Sequence, residues 1–151
     1  MPFDRLVKGI DAWAGSNLTE EVFAQIGDSD YIPQHMDWVR LTSPALFREK
    51  CQTAELMVSH AGIGSILLAI ELQKPIIAMP RRAHLNEHRN DHQMATVSRL
   101  REKVGIEVIY DAASLDGAIR HTRASGGRLP GPTVASAELI KTIRDFINAE
   151  S

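Results

Sequence analysis

Phe3, Leu6, Val7, Ile10, Trp13 and Ala14 recur at i, i+3, i+4 and i+7 spacing, which predicts an amphipathic helix closing near Gly15. Two short apolar runs follow, Val22 to Ile26 before Gly27 and Met36 to Leu41, each of strand length and carrying β-branched or aromatic members. Ser43 before Pro44 is an N-cap followed by proline at the first helical position, and Leu46, Phe47, Cys51 and Ala54 supply the inward stripe of a second helix. Leu56-Met57-Val58 then runs through a turn with glycines at 62 and 64 into Ile66 to Leu72, a segment apolar almost all round and therefore a buried helix.

Lys74-Pro75 stops that helix, and Ile76 to Met79 reads as a buried strand ended by Pro80. A helix carrying Met94, Val97, Leu100 and Val104, a strand from Ile106 to Tyr110 and a helix beginning at Leu115 to Ile119 come next. Gly126 to Pro132 breaks the chain, and Leu139, Ile140, Ile143, Phe146 and Ile147 stripe a last helix within 132–151. Strands alternating with helices predict an α/β fold, a mostly parallel sheet covered on both faces by right-handed crossovers. Ligands of such sheets bind beyond the carboxyl ends of the strands, here the turns after Val58 and Met79 and the one after Leu41.

The length of 151 residues, 44% hydrophobic and 24% charged, sets this pattern in one globular domain, 1–151. A net charge of −2 and a pI near 6.3 provide no global positive field for a polyanion, so nucleic acid is not an expected partner. Cys51 is the single cysteine and falls in a helical stripe, as a buried core thiol. The longest apolar run is far short of the ~20 residues that span a bilayer, and the first residues lack the apolar segment of a secretory signal. The cytoplasm is the expected location.

Three stretches carry candidate chemistry. The 59–65 turn opens a helix with glycines at 62 and 64, so backbone N–H groups and a positive helix end meet a phosphate without an intervening side chain; a tight turn needing glycine for its backbone angles is the plain alternative. His60 stands beside it, as a phosphate donor or as a cap on the strand end. The turn lacks the lysine of a P-loop, and Leu67 breaks G-x-G-x-x-G. Residues 81–103 hold six basic side chains against three acidic ones, and Arg81 and Arg82, directly after a strand end, are the pair placed for charge-assisted bonds to phosphate or carboxylate. His84, His88 and His92 recur every fourth residue, and His84-Leu85-Asn86-Glu87-His88 matches the H-x-x-E-H pattern of inverted zinc peptidases. The competing reading of these histidines is a polar helix start capped by Asn90 or Asp91.

Taken together and in register, S-H-A-G-I-G-S, K-P-I-I-A-M-P-R-R and E-H-R-N-D-H-Q resemble the C-terminal, donor-binding half of glycosyltransferase family 28. The likeness runs from Phe3 to about Tyr110 and is strongest to the split members, such as bacterial exopolysaccharide β-1,4-glucuronosyltransferase catalytic subunits. It implies a Rossmann-like GT-B half in which Gly62, Gly64 and Ser65 hold a UDP diphosphate with His60 alongside. Asp91, His92 and Gln93 would contact sugar hydroxyls, and Glu87 and His88 match the split-subunit pattern. Arg81 or Arg82 would pair with the diphosphate or with a uronic acid carboxylate. Relatives carry a ribose-binding glutamate where this chain has Leu68; Glu71, one turn later, either reaches ribose or pairs with a neighbouring base. Relatives also carry a short apolar strand before the Phe3-Asp4-Arg5-Leu6 helix, absent here, which leaves a shortened start, a truncated gene product or a compensating partner strand as expectations.

The resemblance implies an inverting, UDP-sugar-dependent hexosyltransferase subunit that needs no metal or other cofactor. Its implied partners are UDP-sugar, a membrane-associated acceptor-binding subunit carrying the catalytic base, and a lipid-linked saccharide of exopolysaccharide synthesis. One small domain provides one wall of a closed cleft, so a partner is expected on physical grounds too, with the chain peripheral at the inner membrane face. The alternatives are a noncatalytic nucleotide-sugar-binding or scaffold subunit, and a zinc hydrolase using His84 and His88.

Overall fold

The computed structural model describes residues 2–87 and 106–126, together with Ser98 and Lys141. The expected helices around Met94 to Val104 and from Leu139 onward lie outside the described residues. Chain order is α1 (Asp4–Ser16), β1 (Phe23–Gln25), β2 (Asp37–Val39), α2 (Pro44–Thr53), β3 (Met57–His60), α3 (Ile63–Leu72), β4 (Ile76–Met79), β5 (Glu107–Val108) and α4 (Leu115–Ala124). Short 3-10 turns at Ala83–Leu85 and Ala112–Ser114 precede Glu87 and α4.

Local chemistry sets these boundaries. The Ser43 hydroxyl accepts from the Leu46 N–H at 3.2 Å, and Pro44 takes the first helical position of α2, where its missing N–H costs nothing. Gln73 closes α3 in the left-handed region, φ 54°, after which Pro75 prevents continuation. β4 is buried at all four positions, as a central strand covered on both faces must be.

Among the described residues every strand pairing is parallel. β4 divides the core by alternation: Ile76 and Ala78 pack with Cys51 of α2 and Ile66, Ala69 and Ile70 of α3, while Ile77 and Met79 pack with Phe3 and Leu6 and with Leu115, Ala118 and Ile119 of α4. So α1 and α4 cover one face, α2 and α3 the other. The expected single sheet is, among the described residues, two: β1 pairs with β2, and β3, β4 and β5 form a second sheet in that order. Between β1 and β3 lies a cavity of about 1470 Å³ lined by both strands, by Leu6, Val7 and Ile10 of α1, and by Cys51 of α2.

The halves are joined through helices instead. Trp13 Nε1 donates to Asp116 at 3.0 Å, Arg123 makes a two-pronged contact with Glu20 at 2.8 and 2.9 Å, and Arg48 on α2 pairs with Glu71 on α3 at 2.9 Å. α1 sits so close to the turn before α4 that a Cβ on Gly9 would lie 2.8 Å from the Ala112 Cβ. Gly9→Ala is therefore expected to destabilise by about 1–2 kcal/mol despite its gain in helix propensity. Restoration of the urea midpoint by Ala112→Gly in the double variant checks that contact.

Asp11 is the polar exception in the α1 stripe, with 0% exposure. Its carboxylate accepts from the Tyr31 hydroxyl at 2.6 Å and from the Gln34 and His35 N–H groups at 3.0 and 2.7 Å, which pins the β1–β2 connection onto α1. Burial alone would raise this carboxyl; the hydrogen bonds from Tyr31, Gln34 and His35 outweigh it and hold the group below the usual aspartate value. Asp11→Ala leaves those donors without an acceptor and is expected to cost about 3 kcal/mol, read by urea denaturation.

Candidate functional site

Parallel strands deliver their carboxyl ends to one edge, where the turns after β3 and β4 lie side by side: β3 and β4 pair in register from Met57 with Ile76 to His60 with Met79. At the first turn, Gly62 is the N-cap of α3 and no side chain caps the helix. The first turn of an α-helix has N–H groups with no intrahelical acceptor, and the partial positive charge of the helix end gathers there.

The two glycines differ in their reasons. Gly62 has ordinary extended angles, φ −78° and ψ 141°, so conformation does not demand glycine. A Cβ at 62 would instead collide with the His60 imidazole, which folds over it. Gly64 is exposed, without positive φ, and a Cβ there would meet nothing within 4 Å. Nothing in the protein's own packing requires glycine at 64; the gap over it is open to a ligand approaching the amides of Ile63, Gly64 and Ser65. His60, Ser65 and Arg81 also line the carboxyl end of the large cavity.

The second turn is tied down by a charge cluster. Arg5, in the first turn of α1, gives Glu87 a bidentate contact at 2.7 and 2.9 Å and also donates to the carbonyls of Tyr110, at 2.7 Å, and Pro80, at 3.0 Å. The Arg82 N–H donates to Glu87 Oε2 at 2.9 Å, and its guanidinium to the Tyr110 carbonyl at 3.2 Å. Arg81 donates to the Glu87 carbonyl at 3.0 Å and stacks over the Phe3 ring, 4.8 Å from its centroid. Burial would raise the Glu87 carboxyl, but the bonds from Arg5 and the Arg82 N–H hold it below the glutamate range; burial lowers the Arg81 guanidinium, offset in part by Glu87. Arg82 Nε is buried and meets no acceptor among the described residues.

The structure thus brings His60, Gly62, Gly64, Ser65, Arg81 and Arg82 to one edge. Glu87 is present there with both carboxylate oxygens engaged by protein donors. Glu71 lies near the other end of α3, about 12 Å along the axis from Ile63 at 1.5 Å per residue, and forms the ion pair with Arg48. Of its two expected roles, pairing with a base is the one observed. His88, Asp91, His92 and Gln93 lie outside the described residues. The helical spacing that a zinc reading of His84 and His88 requires is interrupted at Asn86, whose φ of 56° is left-handed, and Glu87 faces Arg5. Among the described residues no three His, Cys, Asp or Glu side chains converge as a metal site, although Asp28-Ser29-Asp30 has Asp-x-Asp spacing. Ser29 in that stretch is 1% exposed and donates to Asp4 at 2.6 Å.

Sequence reasoning missed Arg5 as the brace of this edge. Its partner is 82 positions away, and a basic residue near a helix start carries no pattern that announces it. Among the described residues no helix is long and apolar enough to cross a membrane. The family model described as "Glycosyltransferase family 28 C-terminal domain" matches residues 2–129. No curated protein matches the chain.

Proposed function

As the chain belongs to the glycosyltransferase family 28 C-terminal domain family, we propose that it is the UDP-sugar-binding subunit of an inverting hexosyltransferase. One observation carries this reading: an uncapped helix N-terminus with open space over Gly64, at the carboxyl edge of a parallel sheet. On this reading the amides of residues 63–65 bind the diphosphate, with His60 beside it. Arg81 provides the cation, held in place by Phe3 and the Glu87 carbonyl. As the glycosidic bond to the leaving oxygen breaks, charge grows on the diphosphate, and preorganised amide dipoles and a guanidinium stabilise it more in the transition state than in the bound donor. Asp91, His92 and Gln93 are proposed to hold the sugar hydroxyls.

The finer proposals follow from the same cleft. The base that activates the acceptor belongs to a membrane-associated partner subunit, which supplies the facing wall and a lipid-linked saccharide acceptor in exopolysaccharide synthesis, with this chain peripheral at the cytoplasmic face. Glucuronate is the proposed sugar, its carboxylate read by Arg81 or Arg82. Calorimetric titration tests the donor. UDP and UDP-glucuronate should bind with Kd unchanged by EDTA, since the proposed contacts are amides and guanidinium groups. Arg82→Ala should weaken UDP-glucuronate more than UDP-glucose; equal weakening removes carboxylate reading from that residue. Transfer that appears only when the partner subunit is added supports an enzyme subunit, whereas donor binding without transfer in its presence supports the noncatalytic alternative.

A further inference from the structure

Arg5 stands in the first turn of α1, and the branches of its guanidinium reach three separate pieces of the carboxyl edge. Nε and Nη2 grip the two Glu87 oxygens at 2.7 and 2.9 Å, Nη2 also reaches the Pro80 carbonyl at 3.0 Å, and Nη1 reaches the Tyr110 carbonyl at 2.7 Å. Pro80 follows β4 directly, and Tyr110 lies two residues past β5. One planar group therefore fixes two neighbouring strand ends and the far end of the 81–87 turn together. Acceptors spread in this way suit the rigid fork of arginine and not the compact ammonium of lysine.

Glu87 passes this placement on to Arg81. Its carboxylate is held a second time by the Arg82 N–H at 2.9 Å, and its own carbonyl accepts from Arg81 Nη1 at 3.0 Å. One ring orders both cations: the guanidinium carbons of Arg5 and Arg81 lie 5.4 and 4.8 Å from the Phe3 centroid. Phe3 is buried, so that ring has little room to yield. Two guanidinium groups packed on one ring repel, and Glu87, bonded to both, offsets the repulsion. Arg81 itself lines the cavity mouth with His60 and Ser65.

We infer that Arg5 is a positioning residue of the donor site: acting through Glu87, it aims the Arg81 guanidinium at the mouth of α3. This role rests on the proposed binding of a diphosphate at that mouth. Arg5 acts at one remove, since four of its five N–H donors already end on protein acceptors. Glu87, expected among the substrate contacts, becomes the link between the two arginines. A cation ordered before the ligand arrives spares the donor the entropy of ordering it, so a lost aim is read as lost affinity.

The test is a double-mutant cycle on the full chain, with UDP titrated by calorimetry. Arg5→Lys keeps the charge and loses the fork; it should weaken UDP by about five- to tenfold in the parent and by less than about twofold when Arg81 is already alanine. The same loss in both backgrounds marks Arg5 as merely structural and overturns the inference, as does an Arg5→Lys chain that binds UDP at parental affinity. Glu87→Gln keeps the shape of the link while weakening its charge-assisted bonds, should repeat the pattern, and decides the matter if Arg5→Lys does not fold. Aim is also read without ligand: in Arg5→Lys the Arg81 Nε–H resonance of the unliganded chain should shift toward that of free arginine and exchange faster with water. An Arg81 resonance that ignores Arg5→Lys overturns the inference even where affinity falls. A parent chain that fails to bind UDP contradicts the diphosphate reading instead, and the Arg81 resonance then decides the positioning role alone.

Discussion

Gly64→Val should weaken UDP binding by about a hundredfold while leaving the unfolding free energy within about 0.5 kcal/mol of the parent. The two halves of this expectation have separate causes. A helical Cβ tilts toward the helix N-terminus, so at the second position of α3 it projects into the mouth where the diphosphate is proposed to sit. Blocking about two charge-assisted bonds there costs about 3 kcal/mol, a factor of roughly one hundred. The folded chain does not register the change, because nothing lies within 4 Å of that Cβ and valine is no worse than glycine in a helix. Gly64→Ala should fall between. Calorimetry and urea denaturation on the same samples read the two quantities, and a variant that binds UDP at parental affinity removes the cradle from the account.

Glu87→Ala should lower stability by about 3 kcal/mol, because it strands a guanidinium that otherwise makes a bidentate contact in a largely buried setting. Arg5 is 22% exposed and the Glu87 side chain 8%, so water recovers little of the loss. The pH dependence carries a sign. The folded carboxyl titrates below its unfolded value of about 4.3, so its contribution is complete above that pH and is lost as the pH falls through the lowered folded value. Urea midpoints measured from pH 6 downward should therefore fall less steeply for Glu87→Ala than for the parent. Parallel acid limbs would show that the Arg5–Glu87 contact stores no pH-dependent stability.

The elements most legible in the sequence are those bounded by chemistry local to the chain. Pro80 after four apolar residues marks the end of β4, Ser43-Pro44 marks the start of α2, and the glycine turn after Val58 marks the α3 mouth. The site residues that such signals reach are backbone positions: Gly62, Gly64 and Ser65. The contact a Cβ at 62 would meet was not legible, since it is with the His60 ring folded over that position and not a matter of backbone angle. Asp11 and Arg5 were also silent. Asp11 interrupts an apolar stripe where a helix wheel expects solvent or error, and its role is fixed by donors from Tyr31 to His35 that only the fold brings to it. The break in the sheet was legible in part: the resemblance marks a strand missing ahead of the first helix, whereas which edges stand apart is seen in the pairing of β1 with β2 and of β3 with β4.

Central to the account is the grip of α3 on a diphosphate, and amide spectroscopy reads it residue by residue. Titration of the isotope-labelled chain with UDP should move the resonances of Ile63, Gly64 and Ser65 along one saturable curve, with the Arg81 side chain following at the same Kd. Resonances that stay fixed at those three positions while UDP binds and shifts residues elsewhere would contradict the account.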